Sequence, residues 1–222
     1  MTIDHFGAVF APDQSIYRII GRMAFPIFAF LIVEGFSHTS NVKKYLLRLG
    51  IFAVLSEGAF DLMVYRIQGT TNIWEQQNIF FTLFLGLCSL IVLDYAKDRW
   101  DTSGMTFLFI ELVTICVAAT IAQFLQTDYG AMGVFYIVIF YTYHNHWGQI
   151  TLCLLLITYL FYNGFSNVLS GTIPFQMWCV FSILVLRLYN GEKGRSMKYF
   201  FYCYYPIHIL ILVGLSYLIG SC

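Results

Sequence analysis

Two histidines of this chain stand inside long apolar stretches. His5 lies in the opening run Met1 to Ala11, and His208 lies in the run that follows Lys198. Histidine is the side chain that titrates nearest neutrality, so an imidazole shielded from water suits proton transfer. It can act there as a general acid or base. Charged companions fall in comparable surroundings: Asp4, Arg22, Glu34, Glu57 and Asp61. A carboxylate beside an imidazole fixes its tautomer and stabilises its cation. Asp4 adjoins His5, but adjacent residues point about 100° apart on a helix. Asp4 is therefore expected to serve another partner. Glu57 and Asp61 are four apart and share one helix face.

A plainer reading makes these groups buried ion pairs, Arg22 with Asp4 or with Asp61. Two prolines bear on it. Pro26, four residues after Arg22, and Pro206, two before His208, each remove a helix hydrogen bond and should kink their segments. The turn Asn190-Gly191-Glu192-Lys193-Gly194, with Arg195 and Lys198 beyond it, reads as a plain loop or as the rim of a site for a phosphate-bearing ligand. It lacks a Walker pattern. His38, and His144 with His146, read as solvated interfacial turns. Five of the six cysteines lie in apolar runs without a CxxC pair, so they read as packing residues, with no metal or disulfide framework.

The elements that must position these groups are membrane spans. Only 11% of the 222 residues are charged and 59% are hydrophobic; a soluble domain carries roughly 25% charge. Mean hydropathy is +0.72. Twelve basic residues balance twelve acidic ones, which gives no general field for nucleic acid. Apolar runs are read at 1–11, 17–37, 46–65, 78–96, 105–125, 129–143, 148–164, 172–189 and 199–219. The first is too short to span alone, since a span needs about 20 residues. Either that helix is short and tucked against its neighbours, or the sequence begins within it. No charged n-region or cleavage site marks a signal peptide. The expectation is all-α: a polytopic transmembrane bundle of about nine segments in one domain, 1–222.

Every other turn is basic. Lys43, Lys44 and Arg48 lie in 38–48, Lys97 and Arg99 in 97–104, and Lys193, Arg195 and Lys198 in 190–198. The positive-inside pattern then places 38–48, 97–104, 144–147 and 190–198 in the cytoplasm. With about 1.5 Å of rise per residue, Glu57 and His208 come near the midplane, and His5 and Arg22 lie roughly 9 Å from the outer face. Charge at such depth costs at least ~2.5–3.5 kcal/mol per group, so it is rare without a purpose.

Several motifs carry a resemblance. They are Asp4-His5-Phe6-Gly7, the stretch Gly21 to Phe30, Glu34-Gly35-Phe36 with His38-Thr39, and Lys44 to Leu49. Asp128-Tyr129-Gly130, Tyr189-Asn190-Gly191 and Lys198 through Tyr205-Pro206-Ile207-His208 complete the set. In this order, over almost the whole chain, they resemble the TraX family. That family is named for a conjugal-transfer protein that acetylates the N-terminal amine of pilin, and it is similar to a wider group of transmembrane acyltransferases. The resemblance implies an acyl-CoA-dependent acetyltransferase of the cytoplasmic membrane. Acetyl-CoA would be the donor, no metal would be required, and the acceptor would be a protein amine or a glycan or lipid hydroxyl. It makes His5 the leading catalytic candidate, His208 the second, and Asp4 and Arg22 supporting charges, Arg22 at a developing oxyanion.

Donor or acceptor contacts are then expected from Glu34, Glu57, Asp61, Tyr205 and Asn190, with the anionic nucleotide on Lys193, Arg195, Lys198, Lys44 and Arg48. Two other readings use the same residues. Ionisable groups and kinked helices also describe a proton-coupled transporter, although no inverted repeat is evident. A non-catalytic assembly protein of a secretion or conjugation system is the third.

Overall fold

A computed structural model describes residues 1–69, 76–167, 175–192 and 197–220. The described residues form a bundle of helices: α1 (Thr2–Phe10), α2 (Ser15–Arg22), α3 (Ala24–His38), α4 (Val42–Gln68), α5 (Ile79–Lys97), α6 (Met105–Phe124), α7 (Gly130–Thr142), α8 (Trp147–Asn167), a 3-10 segment (Phe175–Phe181), α9 (Ser182–Leu186) and α10 (Lys198–Ile219). They match the nine apolar runs in order. Four helices are long and apolar enough to cross a membrane: Ser15–His38, Ile79–Lys97, Met105–Phe124 and Tyr199–Ile219. α4 has the length, but Arg48, Glu57, Asp61 and Arg66 interrupt it. α1 has nine residues and packs on α2 and α10.

Local chemistry sets the breaks. Pro26 stands in the first turn of α3, where its missing N–H cannot bond the carbonyl of Arg22, and the second run divides at Met23 into α2 and α3. α4 starts where the Asn41 side chain accepts the Lys44 amide at 2.9 Å, and it ends on Gly69 in the left-handed region, φ 71°. Within the run at 172–189, the described residues 175–186 form not one α-helix but the 3-10 segment followed by α9. A 3-10 helix rises ~2.0 Å per residue, so these twelve residues reach roughly 21 Å, further than the same number in an α-helix.

Lipid is as apolar as leucine, so close packing and polar contacts must hold such helices together. α1 lies on α2 because Gly21 leaves room for Asp4; a Cβ there would overlap the Asp4 side chain. α7 forms the centre, with nine of its thirteen residues buried against α3, α5, α6 and α8. Phe25, Phe30, Leu49, Leu87, Tyr136, Phe140 and Ile209 fill the core around it. α10 packs along α4 and carries α1.

The basic turns gather at one end. His144 reaches Glu34 there, Tyr141 donates to Asp94 at 2.9 Å, and Tyr189 packs edge-on against Phe30. At the other end Gln77 and Thr127 form a single parallel bridge, and Arg66 donates to Ser216 at 3.1 Å. Among the described residues, successive turns thus fall at opposite ends.

Candidate active site

The two candidate imidazoles come from the first and last helices and meet. Nδ1 of His5 lies 2.9 Å from Nε2 of His208, with the rings nearly parallel at 5°. α10 sets the geometry by directing Nδ1 of His208 onto its own Tyr204 carbonyl at 2.8 Å. A carbonyl only accepts, so Nδ1 of His208 carries a proton and its Nε2 is the lone pair. His5 then donates from Nδ1 and keeps its own lone pair on Nε2. The pair touches residues that line a cavity: Tyr204 stacks on His208, Tyr205 meets both rings edge-on, and Thr2 bonds the Tyr204 hydroxyl at 2.7 Å.

That cavity, of about 530 Å3, opens at the basic end beside His38, Thr39, Arg48, Tyr189 and Met197. It runs inward past Phe28, Leu49 and Phe201 to Ile79, Phe80 and Tyr205. Arg48 is its arginine among the described residues. The guanidinium lies 5.9 Å from the Tyr45 ring centre and bonds the Tyr202 hydroxyl, and its buried Nε has no partner. Lys44 is exposed and outside the lining, and Asn190 turns inward on its own loop to accept the Glu192 amide at 3.1 Å. Lys193 and Arg195 lie outside the described residues, as does the side chain of Lys198.

Glu34 lines the mouth, 8% exposed, between two histidines, and Nδ1 of His38 donates to the Glu34 backbone carbonyl at 2.9 Å. Nδ1 of His38 lies 3.8 Å from one carboxylate oxygen and Nδ1 of His144 lies 3.7 Å from the other. Spacing of four residues between Glu34 and His38 is the sequence signal for this contact. Both side chains are nevertheless about half exposed, 47% for His38 and 45% for His144, as the reading of solvated interfacial turns expects.

Deeper in, Glu57 is held by Asn78. The Asn78 backbone amide donates to Glu57 Oε2 at 3.2 Å, and the Asn78 side-chain amide donates to the same oxygen. Asn78 is fully buried and starts α5 well inside the bundle, level with Ala53 of α4, whose carbonyl takes its side-chain amide at 2.7 Å. Sequence reasoning missed Asn78, although an asparagine before an apolar run is a helix-start signal. Asp61 lies a turn beyond Glu57 and outside the cavity lining, and it does not pair with Arg22.

The arginine pairing differs from both expected forms. Asp4 is taken by Arg18, at 2.9 Å, one turn before Arg22 on α2. Arg22 bonds the Tyr129 hydroxyl, with Asp4 and Tyr162 close by, and its Nε has no partner. Asp4 therefore has a partner other than His5, as helix geometry requires. Asp128 and Tyr129, in the turn before α7, complete this layer. Packed surroundings push the Asp128 carboxyl up to about 6, opposed by the charge of Arg22. Both residues line a second cavity, of about 450 Å3, at the opposite end with Gln76, Gln123, Gln126 and Tyr162. Between the cavities Phe25 stacks on Tyr129 with ring centres 3.9 Å apart.

Among the described residues no cluster of histidine, cysteine and carboxylate is arranged to hold a metal ion. An imidazole pair beside a deep apolar cavity, with a cation at its mouth, suits proton removal from a nucleophile that attacks a ligand entering from that mouth.

Comparison with known proteins follows the same lines. The chain is 26% identical over 229 residues to the probable fimbrial assembly protein FimC, serogroup H1, of Dichelobacter nodosus, covering 96% of this chain and 89% of that one. It is 24% identical over 156 residues to the uncharacterized protein RP591 of Rickettsia prowazekii (strain Madrid E), covering 69% of this chain and 55% of that one. No solved structure matches. A family model described as TraX protein matches residues 1–216, and the chain accordingly belongs to the TraX family.

Proposed function

We propose that the protein is a membrane-embedded acetyltransferase that moves an acetyl group from acetyl-CoA to an amine or hydroxyl. The observation that carries this reading is the His5–His208 hydrogen bond set against the deep wall of the larger cavity. The basic end faces the cytoplasm, where the donor is found. The nucleotide sits outside the cavity mouth by Arg48 and the basic turn, and the pantetheine arm enters the mainly apolar interior. The acceptor comes from the opposite end, through the cavity floored by Asp128 and Tyr129. His5 takes the acceptor's proton through Nε2, and the resulting charge is shared with His208 through their hydrogen bond. The acceptor's lone pair forms the new bond to the thioester carbon. Cleavage of the carbon–sulfur bond releases the thiolate, which takes the proton from His5.

The test is purified protein in lipid vesicles with isotopically labelled acetyl-CoA and peptide or glycan acceptors. Label should reach the acceptor with wild-type protein and not with His5→Ala. Equal transfer by the variant removes His5 from the reaction. Two cavities at opposite ends also favour proton-coupled transport, and that reading requires no affinity for coenzyme A. The relative named as a fimbrial assembly protein favours a non-catalytic assembly role, which would tolerate loss of both histidines.

A further inference from the structure

We infer that the Tyr205 hydroxyl and the N-terminus of α5 form the site that holds the carbonyl oxygen of the transferred acyl group. This rests on the acyl-transfer reading. It moves the oxyanion role away from Arg22, which is bonded to Tyr129 and lies outside the lining of the donor cavity.

Tyr205 is 2% exposed and lines the deep end of that cavity beside Ile79 and Phe80. Its oxygen lies against the Ile79 amide, and its proton has no acceptor among the described residues. A buried phenol without an acceptor is destabilising, so such a group calls for a purpose. The nearby carboxylate does not supply the acceptor. Asn78 holds Glu57 by Oε2, and Glu57 Oε1 and the Tyr205 proton are left without partners among the described residues.

The same asparagine organises the helix start. Its side-chain oxygen accepts the Phe80 amide at 2.9 Å and its carbonyl accepts the Phe81 amide at 3.1 Å. Ile79, the first residue of α5, is left with its amide toward Tyr205. The positive end of a 19-residue helix thus opens deep in the bundle, against the cavity and the phenol. An amide proton shared with the phenol oxygen makes the hydroxyl a stronger donor. The histidine pair stands alongside, with ring centres 6.2 Å (His5) and 5.8 Å (His208) from that of Tyr205.

As the acceptor's lone pair bonds to the thioester carbon, the carbonyl π pair moves onto oxygen. The Tyr205 hydroxyl and the α5 terminus stabilise that negative charge. When the π bond re-forms, the carbon–sulfur pair leaves on coenzyme A, which takes the proton removed by His5. Donors placed where charge develops act on kcat more than on substrate binding.

The experiment compares wild type, Tyr205→Phe and His5→Ala in lipid vesicles. Tyr205→Phe should lower kcat about 100-fold or more. Its KM for acetyl-CoA, and its Kd for a thioether analogue that lacks the carbonyl, should change less than about twofold. A wild-type kcat in Tyr205→Phe, with His5→Ala inactive, overturns the oxyanion site and leaves acyl transfer standing. Full activity in His5→Ala, or no transfer by wild type, overturns the underlying reading and this inference with it. If Tyr205→Phe does not fold, 3-fluorotyrosine at position 205 keeps the ring and sharpens the hydroxyl's acidity. It should shift kcat and its pH profile, and an unchanged profile overturns the site.

Discussion

Nδ1 of His5 and Nε2 of His208 share a proton across 2.9 Å, and the Tyr204 carbonyl on the far side of His208 fixes which nitrogen supplies it. In the proposed reaction His5 is thereby the base and His208 the group that orients it and spreads its charge. The two should not behave alike on substitution. His5→Ala should abolish transfer, whereas His208→Phe should lower kcat by about 100-fold and keep a residue of activity, within the usual range for loss of acid–base assistance. The double variant should be no worse than His5→Ala, since groups acting as a unit are not additive. Steady-state kinetics on the three variants decide this. A His208→Phe variant more damaged than His5→Ala would reverse the assignment.

Arg48 predicts a different kinetic signature. It stands near the mouth of the larger cavity, bonded to Tyr202 and stacked on Tyr45, with Nε left for a ligand. In the proposed reaction a cation there would meet the phosphates of the donor in ground state and transition state alike. Arg48→Ala should raise KM for acetyl-CoA about tenfold with kcat nearly unchanged. Equal loss in kcat and kcat/KM would place Arg48 at the reacting centre.

Much of this arrangement was legible in the residues, and what was not has a physical reason. Apolar runs and the turns between them give the order of the segments, because a membrane leaves a helix few alternatives. Pro26 marks the break after Arg22. Depth alone brings His5 and His208 to comparable levels, but only the packing of α1 on α10 makes them touch. The Glu57–Asn78 contact needs α5 to start deep in the bundle, which hydropathy does not encode, since it measures how apolar a run is and not where it begins. Arg18 took Asp4 from Arg22 because both arginines lie on one face of α2 and Gly21 seats Asp4 there. Asp128 and Tyr129 drew notice only as a motif, since a turn without a base gives no charge signal.

Asn78 joins two helices through one carboxylate, so its loss should be felt at Glu57. Asn78→Leu leaves Glu57 Oε2 without its side-chain donor and removes the cap from the Phe80 amide. An unpartnered buried polar group costs about 1–3 kcal/mol, more if charged. The variant should melt at lower temperature in detergent, and Glu57→Gln should relieve part of that loss. The double variant should therefore lie above the sum of the two single effects. Strict additivity would mean that the two residues do not support one another.

Asp128 gives a prediction in pH. Its carboxyl ordinarily titrates near 3.8, and in the folded protein at about 6. Between those values the folded state binds more protons than the unfolded chain, so stability is fullest below the lower value and declines as pH rises through the upper. Arg22 moderates the shift without reversing it, since its positive charge favours the ionised form while the packed surroundings oppose it. Asp128→Asn removes the titration. Thermal melts from pH 4 to pH 7 should show wild type losing on the order of 1–3 kcal/mol more than the variant across that interval. The difference between the two curves isolates this group from the other carboxylates. Parallel curves would mean that Asp128 is ionised throughout, with Arg22 close enough to offset its burial.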